Sequence, residues 1–455
     1  MTFNRRFLVS TGLALGAALP TVAAAAGPRS KDAAAGGTET GSVAPNTGSD
    51  QSKALQAAID RAAERGTVLT LPAGRYLVQG IKLRAGSHLR GTPGRTILAH
   101  ASPGTLITGD GADRARLEGL VIEGSTHPLT GANHAGLVAI SRSRNLVLAD
   151  LEVQGSRANG IVLERCSGSV RDCNIAGAAQ AGIVSLDAVG LEIVNNTVAD
   201  CANNGILVWR TDAGEDGTIV ASNRIERIRA VAGGSGQNGN GVNVYRAGSV
   251  LVTGNRIADC AYSAIRGNAA SNIQMVGNSC ARLGEVALYA EFGFEGALIA
   301  SNIVDTAATG VSVTNFNEGG RLAVVQGNLI RNLVRREHEP EDKRGEGIAV
   351  EADTVVTGNT IENAATVGIS IGWGHYMREV VATSNVIRKS RVGIMITRDP
   401  GAGAALIAQN MISGARDGAI RAMDKGVAVG PDLVRGGVQS SRITISGNVG
   451  VEAGA

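Results

Sequence analysis

Residues 251–257 read LVTGNRI, and the phrase returns as QMVGNSC at 274–280, LIASNIV at 298–304 and VVQGNLI at 324–330. An apolar strand leads into Gly-Asn or Ser-Asn, and an apolar residue stands two places after the Asn. A short gap then leads to a second phrase, Gly-(Ile/Val)-x-(Val/Ile). The Asn recurs at 196, 223, 255, 278, 302, 328, 359, 385, 410 and 448, with Leu120, Leu151 and Cys173 in its place in earlier copies. The usual spacing is 22 to 26 residues with occasional insertions. A unit this short cannot bury its own apolar face, so the copies must stack. One turn of parallel β-helix per repeat achieves this, each strand pairing with copies about 4.8 Å above and below. The expected fold is all-β, a single-stranded parallel β-helix of about 12 coils. Inward asparagines repeated once per coil would form an amide ladder along the stack.

Composition agrees. Among 455 residues there are 63 glycines but only two Trp, five Tyr and five Phe, which suits a thin core with many turns. A net charge of +3 with 18% charged residues excludes nucleic-acid binding driven by bulk charge, and no phosphate-cradling or nucleic-acid motif is present. No stretch after residue 30 is apolar enough to span a membrane. Cys166, Cys173, Cys201, Cys260 and Cys280 fall at core positions of the repeat, and Cys201 and Cys260 are too far apart to pair, so packing explains them better than disulfides. No spacing of Cys and His indicates a metal site or cofactor; His127 and His134 alone are too few.

The chain opens Asn4, Arg5, Arg6, Phe7, Leu8, with a mild Leu/Ala/Gly stretch ending at Ala26. Residues 1–26 resemble a twin-arginine signal, which implies the twin-arginine export machinery as a partner and a periplasmic or secreted location. Residues 27–49 read as a flexible linker, 50–66 as a helix capped by Asp50 with Ala54, Leu55, Ala58, Ile59 and Ala62 on one face, and 67–455 as the repeat domain. Helix followed by the phrase GTVLTLPAGRYLV at 66–78 resembles the start of the pectate-lyase-like superfamily of right-handed parallel β-helices. That resemblance implies right-handed coiling and a helix covering the open end of the solenoid. It extends over about residues 50–450 and concerns architecture, because the catalytic motifs of pectate lyases, polygalacturonases and alginate epimerases are absent. Signal and repeats together look most like the uncharacterised twin-arginine-translocated repeat proteins.

Insertions on both sides of the Gly-Ile strand, in the middle of the solenoid, predict a groove. With Ile or Val facing inward at the first and third positions after Gly, the second and fourth positions face outward. Eight of the ten aromatics beyond the signal fall on this strand or the loop after it. The expected substrate-binding residues are Trp209, Asn243, Tyr245, Asn268, Tyr289, Asn315, Trp373 and Tyr376, since aromatic faces and amides suit a sugar chain. Glu291 and Glu351, two copies and so roughly 10 Å apart, are candidate acid and base of a glycosidase. Arg266 could bind a substrate carboxylate in a lyase or epimerase, and His375 is a further acid/base candidate. The expected function is binding and processing of a polysaccharide or glycan; the alternative is a non-catalytic carbohydrate-binding, cell-envelope or scaffold protein in the same groove. Residues 335–344 read as a solvated charged insertion.

Overall fold

A computed structural model describes residues 38–40, 43–129, 135–335, 344–436 and 442–451. The signal at 1–26, His134 and most of the 335–344 insertion lie outside them.

The repeat forms a right-handed β-helix of about 13 turns, one more than the repeats suggest. Three sheets of 16, 15 and 15 strands run its length, parallel throughout except for one antiparallel strand at the far end. One coil shows the plan: Ile273–Val276 in the first sheet, a turn at Gly277 and Asn278, Ser279–Ala281 in the second sheet, and Val286–Glu291 in the third. Glu295–Ala300 then opens the next coil in register, Gln274 opposite Leu298. Inward Ile, Val, Leu and Cys side chains fuse into one core along the solenoid.

The Asn turn uses both of its conserved features. Its first residue is left-handed, with φ of 63° at Gly254, 69° at Gly277 and 62° at Gly327; Gly adopts this without a Cβ penalty. The Asn then makes the ladder. Asn278 donates from Nδ2 to Val252 O at 3.0 Å and to Asn302 Oδ1 at 3.1 Å. Its own Oδ1 accepts the Asn255 backbone N–H and the Asn255 amide, both at 3.0 Å. The same connections run from Asn196 to Asn448. Cys173 starts the row by donating its backbone N–H to Asn196 Oδ1.

The glycine of the Gly-Ile phrase has a different cause. Coils approach so closely there that a Cβ on Gly347 would stand 2.3 Å from Gly368 O, and one on Gly310 would stand 2.5 Å from Gly347 O.

Each end carries a covering element. The N-terminal helix, Ser52–Arg65, buries Leu55, Ala58, Ile59 and Ala62 over the first coils. Its boundary and face differ slightly from expectation. Gln51 takes the N-cap position, Asp50 still accepts the Ser52 N–H at 2.9 Å, and Ala54 is exposed. Of the expected linker 27–49, residues 27–37 and 41–42 lie outside the described residues. Thr38–Thr40 pairs with Val68–Thr70, and Val43 is buried in the core. At the far end Val427–Asp432 folds back antiparallel on Ile420–Asp424 and covers the last Gly-Ile strand, whose unpaired edge would otherwise be exposed.

All five cysteines are free and buried. Desolvation pushes the thiols of Cys173, Cys201 and Cys280 up to about 12 and that of Cys166 to about 11, and raises Cys260 as well.

Two outcomes follow. Asn302→Leu leaves the side-chain amide and the backbone N–H of Asn278 without their acceptor, so urea denaturation should show a loss on the order of 1–3 kcal/mol. The native protein should resist thiol alkylation at pH 8 that labels all five cysteines in urea. Above pH 9.0 the unfolded chain releases thiol protons that the native core retains to about 12. Stability therefore falls as pH rises through that window, measurable as a declining melting temperature.

Candidate functional site

Along the Gly-Ile sheet the second position after Gly reads Ala139, Val162, Val184, Leu207, Asn243, Arg266, Tyr289, Ser312, Ala349, Ser370 and Met395, one per coil. Over these coils the column is apolar on both flanks of a mostly polar middle, and farther out it reaches Thr108 and Lys82 on one side and Arg421 on the other. Val162, Val184 and Leu207 pack together on the outer face, as do Met395 and Met423 farther on. Between them lies a cleft of about 340 Å³, from Arg266 to Trp373.

Its centre is a buried ionic cluster. Arg266, 5% exposed, donates from Nε to Glu291 Oε1 at 2.6 Å, and its terminal nitrogens lie 2.6 Å from that oxygen and 3.5 Å from Glu285 Oε2. Its guanidinium stacks over the Tyr289 ring at 4.9 Å. Asn268 adds a third donor to Glu291 Oε1 at 2.9 Å. Cross-strand register brings these groups together, Arg266 opposite Tyr289 and Asn268 opposite Glu291. One oxygen of Glu291 is thus clamped by three nitrogens, and no donor among the described residues reaches the other, Oε2, on a residue that lines the cleft.

Two further carboxylates line the same cleft, Glu346 and Glu351. Glu351 follows the strand Glu346–Val350, two coils beyond Glu291, and its Oε2 accepts the Phe316 backbone N–H at 2.7 Å. Tyr289, Phe292, Trp373 and Tyr376 supply aromatic surface, with Ser312, Asn315 and Ser370 as polar neighbours. Asn315 also braces the wall by accepting the Phe292 N–H at 3.3 Å.

The structure therefore assembles Arg266, Glu291, Glu351, Tyr289, Asn315, Trp373 and Tyr376 in one cleft, with Asn268 behind Glu291. It does not bring in four of the expected residues. His375 is exposed at the tip of the turn closed by Trp373 and Tyr376, its ring 4.0 Å from that of Tyr376, and it does not line the cleft. Asn243 is buried under the 230–239 insertion, donating to Gly236 O at 3.0 Å. Trp209 and Tyr245 form an edge-to-face pair, 6.1 Å between ring centroids, outside the cleft. Arg266 is not a free cation either, since two glutamates already neutralise it.

Glu346 and Thr309 were absent from the expected set. Each stands one residue before the Gly, where other coils carry Ala181, Val367 and Val392 but also Asn159, Asn204 and Asn240, so polarity in that column did not single them out. His127 meets His100 edge-on at 6.0 Å, and among the described residues no three His, Cys, Asp or Glu side chains converge as a metal site needs.

The family model for "Periplasmic copper-binding protein (NosD)" matches residues 93–283, and the one for "Right handed beta helix region" matches 213–399. Among solved structures, bacteriophage phi29 gene product 12 in its pre-mature form is similar at 14% identity with a TM-score of 0.54. That match covers 86% of this chain and 57% of that one, so the chain spans little more than half the phage protein's length. An N-terminal fragment of the same phage protein matches at 15% identity and a TM-score of 0.50, over 90% of this chain and 70% of that one. The Azotobacter vinelandii mannuronan C-5 epimerase AlgE6 A-module matches at 15% identity and 0.43, over 89% and 96%. No curated protein matches the sequence significantly. At these identities the two phage-protein likenesses bear on the fold alone.

Arg266→Ala would leave Glu285 and Glu291 buried without their shared cation. Such a loss costs about 3–5 kcal/mol, so this variant should show a large drop in urea midpoint as well as any change in ligand binding.

Proposed function

We propose that this is an exported parallel β-helix protein that binds a glycan in the cleft between Arg266 and Trp373 and processes it, with hydrolysis as the favoured chemistry. The observation that carries the reading is Glu291, a carboxylate with one oxygen clamped by Arg266 and Asn268 and the other meeting no donor among the described residues, in a cleft with Glu346, Glu351 and four aromatic rings. Glycoside hydrolysis needs one carboxylate held ionised as nucleophile or base and a second as acid. Two nitrogens of Arg266 and the amide of Asn268 fix one oxygen of Glu291 in place, which suits it to the first role. Glu351, two coils away, is separated by roughly 10 Å of rung spacing, close to the range for a water between two carboxylates. Glu346 is the other candidate acid. Aromatic rings offer stacking surface to sugar faces. A lyase or epimerase acting on uronates is less well served, because the lining cation, Arg266, is already shared by two glutamates. Export rests on the Arg5-Arg6 signal and is supported by the periplasmic description of the family model over 93–283.

Among the described residues no three His, Cys, Asp or Glu side chains converge to hold the copper in that description. Copper selects thiolate, thioether and imidazole ligands. Here the cysteines are buried with raised thiol pKa values, and Met275, Met377, Met395 and Met423 pack inside the protein. No step is therefore derived through copper.

Mass spectrometry of products from a panel of neutral and acidic polysaccharides tests the reading. Glu291→Gln and Glu351→Gln should each reduce turnover by about 10²–10⁴ while binding on a glycan array persists. Array binding without product from any polysaccharide would leave the non-catalytic binding protein as the better account.

A further inference from the structure

The cleft is blind at one end and open along a ledge at the other. Beyond Ser370 the second-position column continues to Met395, which is fully buried with Met423 against Ala428 of the C-terminal hairpin. Beyond Gly372 the fourth-position column continues to Thr397, also buried, with its hydroxyl donating to Gly374 O at 2.7 Å. Trp373 stands at this wall and is backed by the hairpin, since a Cβ on Gly426 would lie 3.0 Å from its ring. Both columns of the sheet floor are therefore roofed directly after the cleft.

The opposite end differs between columns. On the second-position column the 230–239 strap lies over Asn243 and Arg266. It is anchored by the amides of Asn204, Asn240 and Asn243, which donate to the carbonyls of Gln237 and Gly236 at 2.8 to 3.0 Å. On the fourth-position column, Glu291 is followed outward by Asn268, Tyr245 and Trp209 in register, all three only half-buried. Arg246 stacks on Tyr245 at 4.8 Å and Trp209 abuts its edge at 6.1 Å, so the pair is a braced aromatic step. From Trp209 to the cleft at Glu291 is three rungs, roughly 14 Å at ~4.8 Å per rung.

We infer that the cleft receives a chain end: the terminal sugar lies against Trp373, and the rest of the chain leaves past Glu291 along Asn268, Tyr245 and Trp209. This rests on the glycan reading of the cleft. A polymer lying across an open groove is cut internally, whereas one seated against a wall is shortened from one end. Trp209 and Tyr245 thereby become outer binding residues that select for length and stand away from the bond broken.

The probes are oligosaccharides of increasing length from cellulose, chitin, pectin and alginate, each made with a bulky fluorophore at either the reducing or the non-reducing end. Binding is read by calorimetry, so the experiment needs no turnover. For the oligosaccharide that binds, a tag on one end should weaken affinity at least about tenfold and a tag on the other end should change it less than about twofold. Trp209→Ala and Tyr245→Ala should remove the gain in affinity from added length and leave the shortest binding oligosaccharide unchanged, which also shows that the variants are folded. Equal tolerance of tags at both ends would overturn the chain-end inference while the glycan reading stands. A length gain that survives both substitutions would overturn the ledge. Absence of binding by every oligosaccharide would overturn the glycan reading, and the inference with it.

Discussion

The asparagine amide row holds the coils in register. Asn255, Asn278 and Asn302 each use both N–H groups and the carbonyl oxygen, bonding to the coils on either side. A buried amide is costly unless all its polar atoms are partnered, and here every partner is another coil in correct register. Parallel strands with inward Ile and Val could slide by two residues and still bury apolar side chains. The amide row does not tolerate that slip. Loops can therefore vary from coil to coil while the sheet beneath them stays in place.

That rigidity makes the cleft possible. Arg266, Tyr289 and Glu291 are fixed because they project from adjacent strands of one sheet, and cross-strand register sets which atoms meet. The burial of the Arg266 cluster has two consequences. It holds one oxygen of Glu291 with three nitrogens, and it makes the cation a structural part of the site. A charge this buried is stabilised by its partners or not at all. The same residue that orients the carboxylate also keeps the strands beneath it compatible with folding.

The ends of the solenoid decide the shape of the site as much as its middle. The C-terminal hairpin removes an open sheet edge, a general hazard of parallel sheets. In doing so it covers Met395 and stands behind Trp373. Capping and site geometry are thus produced by one element.

Much of this protein is legible in its sequence. The recurring Asn, the small residue before it and the Gly-Ile phrase are local signals, repeated often enough to set the coil, the inward face and the positions of the cysteines. Period-two alternation settles which residues share a face, so it sets Arg266 and Tyr289 in one outward column and Glu291 in the next, beside the insertions that mark the groove. Tertiary structure alone decided the rest. Nothing local to Asn243 shows that the 230–239 strap lies over it, since that depends on amides of adjacent coils converging on two carbonyls. His375 is placed outside the cleft by a four-residue turn, and Arg266 loses its freedom to Glu285 from a neighbouring coil. Insertions carry no repeat to read them by, and their paths follow from hydrogen bonds to distant coils. Sequence determined the scaffold because each coil repeats the same short-range rule; the cleft's limits depended on contacts made only once.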